Sequence, residues 1–188
     1  MSQSQLLARV VRTLESAAVE YMVTGSIVSS LQGEPRSTHD IDVVVALAPN
    51  AVPALLAAFP PPEFYLDEES VHEAIRRGDM FNLLQPDTGD KVDFWMLTAD
   101  EFDQARFQAR ITEHAEGLDM KVSRPEDTIL MKLRWSAMAG GSEKQFQDAV
   151  RVYEVQLNGL DQSRLDQWAG KIGVDELLAR LRREAGSD

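Results

Sequence analysis

The chain has 188 residues, of which 44 % are hydrophobic and 27 % charged, and this suits one folded domain or one domain with a small appendage. Cysteine is absent, which excludes disulfides, thiolate metal ligands and a cysteine nucleophile. The formal net charge of −12 argues against a broad surface for long nucleic acids, although it is compatible with a local basic patch for a nucleotide or a tRNA end. No apolar run approaches a membrane span and no signal-peptide pattern opens the sequence, so we expect a soluble, cytoplasmic protein with no membrane partner.

Helical and strand periodicities alternate through the first two-thirds of the chain. The predicted elements are, in order, a packing helix at 4–20, a strand at 21–23, a short helix at 27–31, a strand at 41–46, helices at 49–59 and 67–77, strands at 80–84 and 91–97, a helix from 98 to 105, and strands at 109–114 and 118–122. The turn at 86–90 makes the strands on either side of it a hairpin.

Only helical patterns follow Arg124-Pro125, with four helices predicted over 129–137, 142–155, 161–168 and 174–181. This change predicts an α/β core at residues 1–123 and a helical region at 124–188 that packs on it. The fold class is therefore α/β of the α+β kind: a mixed sheet flanked by helices, with a C-terminal helical bundle.

Three aspartates interrupt strands that are otherwise apolar, where aspartate is disfavoured. Asp40 and Asp42 project from one face of their strand, about 7 Å apart at Cα, and a divalent cation is a common way to offset such repulsion. Asp93 lies on the later strand. The Gly25-Ser26 pair opens a helix whose free N–H groups favour a phosphate. The alternative is purely structural: Asp40 in a turn, Asp42 as a strand-end charge and Asp93 on a solvated edge.

The ordered set resembles the nucleotidyltransferase (polymerase-β-like) superfamily, and its matching positions are Gly25, Ser26, Arg36, Thr38, Asp40, Asp42 and Asp93. The resemblance implies a catalytic two-ion Mg²⁺ site held by the three aspartates, with Asp93 also able to act as the base. It further implies an NTP substrate whose β- and γ-phosphates lie on Gly25 and Ser26, with Arg36 and Thr38 also binding the nucleotide.

A second group of residues lies in the helical region. Lys132 is either a solvated helix lysine or a cation that neutralises a triphosphate held by Gly25-Ser26. A Lys-Leu helix followed by a helix with a basic residue and an aspartate resembles the AbiEii-type abortive-infection branch, whose members are nucleotidyltransferase toxins. Lys132, Lys144 and Asp148 stand at the matching positions, which implies nucleotide binding by all three and a catalytic role for Lys132. Asp148 is otherwise a surface acid paired with Lys144 at i,i+4.

The stretch from Gly140 to Gln145, with Asp148, also resembles small bacterial nucleotidyltransferase-like proteins. The helix after Gly25-Ser26 lacks the arginine that many small nucleotidyltransferases carry there. This difference weakens the inference that the chain acts on the type of substrate used by the antibiotic-resistance or minimal-antitoxin proteins.

The resemblance implies a Mg²⁺-dependent enzyme that transfers NMP from ATP or another NTP to a tRNA, a protein or a small molecule. A toxin–antitoxin or abortive-infection role, with a cognate antitoxin or toxin as partner, is a further implication. One alternative is a non-catalytic nucleotide-binding or antitoxin-like regulatory protein on the same fold, and another is an acidic domain that acts by protein contact alone. For Trp95 and Trp135, core packing is favoured over base stacking. The sequence does not identify the acceptor, the preferred NTP or the oligomeric state.

Overall fold

Helices and strands are interspersed up to residue 122, and the regular elements within the described residues 123–186 are all helices. The computed structural model describes residues 1–35, 38, 40–115 and 117–186. Within them the strands are β1 (Tyr21–Thr24), β2 (Asp40–Val45), β3 (Tyr65–Leu66), β4 (Met80–Gln85), β5 (Asp90–Met96), β6 (Ile111–Ala115) and β7 (Leu118–Val122). The α-helices are α1 (Gln3–Ser16), α2 (Gly25–Gln32), α3 (Val52–Ala58), α4 (Glu68–Arg77), α5 (Glu101–Gln108), α6 (Pro125–Met138), α7 (Glu143–Gln156), α8 (Gln162–Ile172) and α9 (Asp175–Ala185).

The chain forms two compact units. The first comprises Met1–Thr24 and Thr38–Val122, and it contains all the strands named above together with α1, α3, α4 and α5. The second comprises Gly25–Ser37 and Ser123–Asp188, and it contains α2 and α6 to α9. Compactness therefore groups α2 with the C-terminal helices. The division into domains 1–123 and 124–188 stays a prediction, because compactness does not test whether either part folds alone.

The first unit is built on a mixed sheet with the strand order β3-β4-β5-β2-β1-β7-β6. The β2/β5 and β1/β7 pairs are parallel and the remaining pairs are antiparallel. Strands in the middle of the sheet carry the apolar, largely β-branched residues: Val43, Val45 and Val92 are fully buried. The predicted mixed sheet and the predicted β4/β5 hairpin are confirmed.

Short-range signals fix several helix ends in this unit. Asp67 accepts a hydrogen bond from the Ser70 N–H at 2.8 Å, and Gly78 ends α4 in the left-handed conformation at φ 67°, both as predicted. The first helix ends at Ser16 rather than at residue 20, because Ala18 takes a positive φ of 52° that no helix continues. The helix predicted from residue 98 begins at Glu101, since Asp100 caps it.

The second unit packs α2 and the C-terminal helices around buried positions such as Val28, Ile129 and Phe146. Gly33, just after α2, approaches α7 closely: a Cβ built there would lie 3.0 Å from the Val152 nitrogen. The buried amide of Gln32 donates to the Ser123 carbonyl at 2.7 Å. These contacts tie α2 to the start of the C-terminal segment and to α7.

In the described part of the chain, no helix has the length and apolar character needed to cross a membrane.

Candidate active site

Two of the predicted carboxylates are direct neighbours on the sheet. The parallel register of β2 and β5 pairs Asp42 with Asp93, and it pairs Asp40 with Lys91. Side chains alternate along a strand, so Asp40, Asp42, Lys91 and Asp93 share one face of the sheet. The strand spacing puts Asp42 and Asp93 about 4.8 Å apart across the pair. The structure thus brings the three predicted aspartates to one face, which we call the carboxylate face.

Lys91 lies among these acids. Its ammonium is 2.8 Å from Asp93 Oδ2 and 3.7 Å from Asp40 Oδ1. The side chain of Asp93 is 10 % exposed, that of Lys91 33 % and that of Asp40 58 %, so the closer ion pair is the better shielded from water. The hydrogen bond to Asp93, together with the charge of the carboxylates, raises the pKa of Lys91 against the opposing effect of burial.

Two neutral donors also contact the acids of this face. Asn82, paired with Asp93 across β4 and β5, donates its side-chain amide to Asp93 Oδ1. The Trp95 indole N–H donates to Asp42 Oδ1 at 3.3 Å. Trp95 is 39 % exposed, so the prediction of core packing is wrong for it. The reason is strand alternation: Phe94 takes the inward position and is fully buried, which turns Trp95 to the opposite face.

The chemistry of the three aspartates suits a hard divalent cation such as Mg²⁺, which prefers oxygen ligands and often takes one or two carboxylates from the protein. Among the described residues, however, no group of three His, Cys, Asp or Glu side chains is arranged to hold a metal ion. Lys91, Asn82 and Trp95 hold the carboxylates instead. The chemistry of the donor set fits the ion, and in this structure the carboxylates are engaged with these partners.

In the second unit, Lys132 contacts two other predicted residues. Its ammonium is 2.8 Å from Asp148 Oδ2 and 3.4 Å from Ser26 Oγ. The side chains of Lys132 and Asp148 are 1 % and 8 % exposed, so neither the solvated lysine nor the surface acid paired with Lys144 describes this structure. Both alternatives fail because Lys132 and Asp148 face each other inside the unit and neutralise each other there.

The structure describes three of the remaining predicted nucleotide-binding residues. Gly25 is buried at the start of α2 with φ 70°, a conformation that favours glycine. Thr38 donates its hydroxyl to the Asp40 carbonyl at 3.4 Å. Lys144 is exposed in the first turn of α7. Arg36 lies outside the described residues. The nucleotide-binding roles of all these residues stay predictions.

Sequence reasoning missed the three partners of the carboxylates, although two of them carried a usable signal. Lys91 lies two residues before Asp93, so strand alternation alone puts both on one face. The hairpin turn at residues 86–89 pairs Gln85 with Asp90, and counting back along the strands then pairs Asn82 with Asp93. The contact of Trp95 with Asp42 can be predicted only when it is known which face of the sheet is buried.

Comparison of the sequence with models of known protein families gives no match. Comparison with curated proteins gives none either. The structure is similar to the antibiotic-resistance factor ANT(2'')-Ia, with a TM-score of 0.52 and 14 % identity over 98 % of this chain and 96 % of that one. It is also similar to an antigenic nucleotidyltransferase-like protein from Paracoccidioides brasiliensis, with a TM-score of 0.49 and 16 % identity over 97 % of this chain and 94 % of that one.

A CCA-adding enzyme solved with CTP gives a TM-score of 0.41 and 13 % identity, over 95 % of this chain and 54 % of that one. At such identities a likeness concerns the fold alone, and the lower scores of the latter two structures add no weight. The chain has a nucleotidyltransferase-like fold. Membership of the superfamily that the sequence resembles stays a prediction. The AbiEii-type branch stays a prediction.

Proposed function

We propose that the protein is a divalent-metal-dependent nucleotidyltransferase that moves NMP from an NTP to an acceptor hydroxyl or phosphate and releases pyrophosphate. The observation that carries the proposal is the register of β2 and β5, which sets Asp42 beside Asp93 and Asp40 on the same face. Acidic side chains on neighbouring strands of a largely apolar sheet repel each other, and a shared divalent cation would offset that repulsion.

The carboxylate face would supply the chemistry. Asp40, Asp42 and Asp93 would hold Mg²⁺, which when bound neutralises phosphate charge and lowers the pKa of an acceptor hydroxyl. Asp93 would take the proton of that hydroxyl as its oxygen bonds to the α-phosphorus and the bond to the β-phosphate breaks. Thr38, through its hydrogen bond to the Asp40 backbone, would fix the start of β2.

The second unit would bind phosphates. The backbone N–H groups of Gly25 and Ser26 open α2 and favour an anion. Lys132 contacts Ser26 Oγ in this structure, and turning away from Asp148 would let it neutralise charge on a bound triphosphate. We assign supporting nucleotide contacts to Arg36, Lys144 and Asp148.

The acceptor would be a tRNA end, a protein side chain or a small molecule, in the cytoplasm where NTPs are abundant. The net charge of −12 weighs against an acceptor that is a long polyanion, because such a molecule needs a broad basic surface. The sequence resemblance favours the physiological role of an AbiEii-type toxin, with a cognate antitoxin as its partner.

A non-catalytic or antitoxin-like nucleotide binder on the same fold is the second candidate. It is favoured by one observation: Lys91 and Asn82 occupy both oxygens of Asp93. This candidate predicts nucleotide binding without pyrophosphate release for every acceptor offered.

The test is calorimetry with each NTP, with and without Mg²⁺, followed by pyrophosphate release in the presence of tRNA, protein or small hydroxyl acceptors. Asp42→Asn should weaken Mg²⁺-dependent binding and lower turnover by at least about 100-fold, as loss of an electrostatic partner in an active site does. Asp119→Asn is the matched control, because this exposed acid pairs only with His114 among the contacts described for it. Full activity in folded Asp42→Asn protein would refute the metal site, and the absence of binding by any NTP would refute the nucleotide site.

A further inference from the structure

Lys91 combines a position and a charge that the proposed reaction does not use. It lies two residues before Asp93 on β5 and directly opposite Asp40 on β2. Its ammonium reaches both carboxylates, at 2.8 Å and 3.7 Å. An ammonium in this place neutralises the same negative charge that a divalent cation would neutralise.

Asp93 is fully engaged with its own chain. Oδ2 faces the Lys91 ammonium, and Oδ1 accepts from the Asn82 amide. A cation bound to Oδ2 at roughly 2.1 Å would lie within a few ångströms of the ammonium, and the two positive charges would repel each other. Since Asp93 is nearly buried, water screens this repulsion only in part.

Resting on the metal site of the proposed function, we propose that Lys91 is the internal counter-ion of the carboxylate face. Without a divalent cation its ammonium holds Asp93 and Asp40, and a cation binds only when it displaces that ammonium. Lys91 is thus a positioning residue that stabilises the metal-free carboxylates and lowers their affinity for metal.

The proposal makes stability and metal affinity change in opposite directions. Removing the charge of Lys91 leaves three aspartates on one face with less compensation, so the metal-free protein loses stability. The same change removes the competitor, so a divalent cation binds more tightly. A lysine that only supports the local structure would lower both quantities when it is replaced.

The experiment is a calorimetric titration of the full chain with Mn²⁺ alone, combined with thermal melts with and without Mn²⁺. Lys91→Met should bind Mn²⁺ about tenfold more tightly than the unaltered protein, the size expected for loss of one competing charged hydrogen bond. Its metal-free melting temperature should be lower, and Mn²⁺ should raise it by more. Lys91→Gln is the second neutral variant and should behave in the same way if Lys91→Met fails to fold.

Two variants control for charge and for side-chain replacement. Lys91→Arg keeps the cation, and Lys121→Met removes a lysine on β7 whose ammonium contacts Thr112 at 2.7 Å. Both should bind Mn²⁺ within about twofold of the unaltered protein. Lys91→Arg retains the competing positive charge, and Lys121 is an exposed charge on another strand whose effect on the carboxylates is screened.

Equal or weaker Mn²⁺ binding by the neutral Lys91 variants would overturn the role of Lys91 and leave the proposed metal site standing. No Mn²⁺ binding by any variant, including the unaltered protein, would overturn both. The two failures are therefore distinguishable in one set of titrations.

Discussion

At the scale of single residues, replacing one partner of the Lys132–Asp148 ion pair has the clearest consequence for stability. Its two charged groups are 2.8 Å apart, with side chains 1 % and 8 % exposed. Removing one partner leaves the other charge buried without its main compensation, so Lys132→Met should lower the free energy of unfolding by about 3–5 kcal/mol. Urea denaturation followed by circular dichroism measures this loss.

Two further variants separate a buried pair from an ordinary one. Replacing both partners, as in Lys132→Met with Asp148→Leu, should recover most of the loss because no unpaired charge remains. Arg77→Met breaks an exposed pair with Glu73 and should cost about 0.5 kcal/mol or less. A loss at Lys132 as small as that at Arg77 would contradict the buried pair. The comparison also shows whether any activity lost on replacing Lys132 is a matter of stability.

Sequence reasoning identified the carboxylates of the candidate site better than their partners. Asp40, Asp42 and Asp93 are conspicuous because each charge interrupts an apolar strand, and this signal is local. The pairing of Lys132 with Asp148 joins residues on different helices, and no sequence spacing predicts which faces of two helices meet. The exposure of Trp95 likewise depends on which side of the sheet the rest of the chain covers.

At the scale of elements, the contact of α2 with α7 depends on a residue without a side chain. A Cβ at Gly33 would lie 3.0 Å from both the Val152 nitrogen and the Ser29 oxygen, and these are backbone atoms that do not move aside easily. Gly33→Ala should therefore lower the free energy of unfolding by about 1–3 kcal/mol, in the range of overpacked cores. Denaturant titration of the purified variant checks this.

The matched control is Gly170→Ala on α8. Nothing lies within 4 Å of a Cβ built at Gly170, and alanine forms helix better than glycine, so this variant should gain about 0.5–1 kcal/mol. Equal effects at Gly33 and Gly170 would show that the approach to α7 is not tight.

Elements with strong local signals were predicted and those that depend on distant partners were not. The cap of α4 and the β4/β5 hairpin follow from Asp67, Gly78 and the turn at 86–89. Strand β3 has two residues, and it exists because Tyr65 and Leu66 pair with Leu84 and Leu83. No periodicity can be detected in two residues, so β3 becomes visible only in the folded sheet.

At the scale of the whole molecule, chain order and compactness disagree about one segment. The sequence places the short helix after β1 inside the α/β core, since strands precede and follow it. The structure groups it with the C-terminal helices, because α2 contacts α6 and α7. The change of pattern along the chain predicts a boundary near residue 123, but it carries no information about a segment that packs with a later part of the chain.

This grouping predicts how fragments of the second unit behave. A fragment of residues 123–188 lacks α2, whose buried face includes the fully buried Val28, and it should expose the apolar surface that α2 covers. A fusion of residues 25–37 to residues 123–188 through a flexible linker should cover that surface again. Burying one such side chain contributes about 1.5–3 kcal/mol, so we expect the fusion to melt at least about 10 °C above the fragment. Circular dichroism melts and binding of a hydrophobic dye measure the difference.

The control for the fusion is the same construction with Val28→Asp, which places a charge where the native side chain is fully buried. If α2 belongs to this unit through its apolar face, the control melts like the fragment alone and binds as much dye. If the fragment of residues 123–188 melts as high as the fusion and binds no dye, α2 contributes nothing to that unit. Residues 123–188 would then fold without α2, which would favour the boundary near residue 123 that the order of elements along the chain predicts.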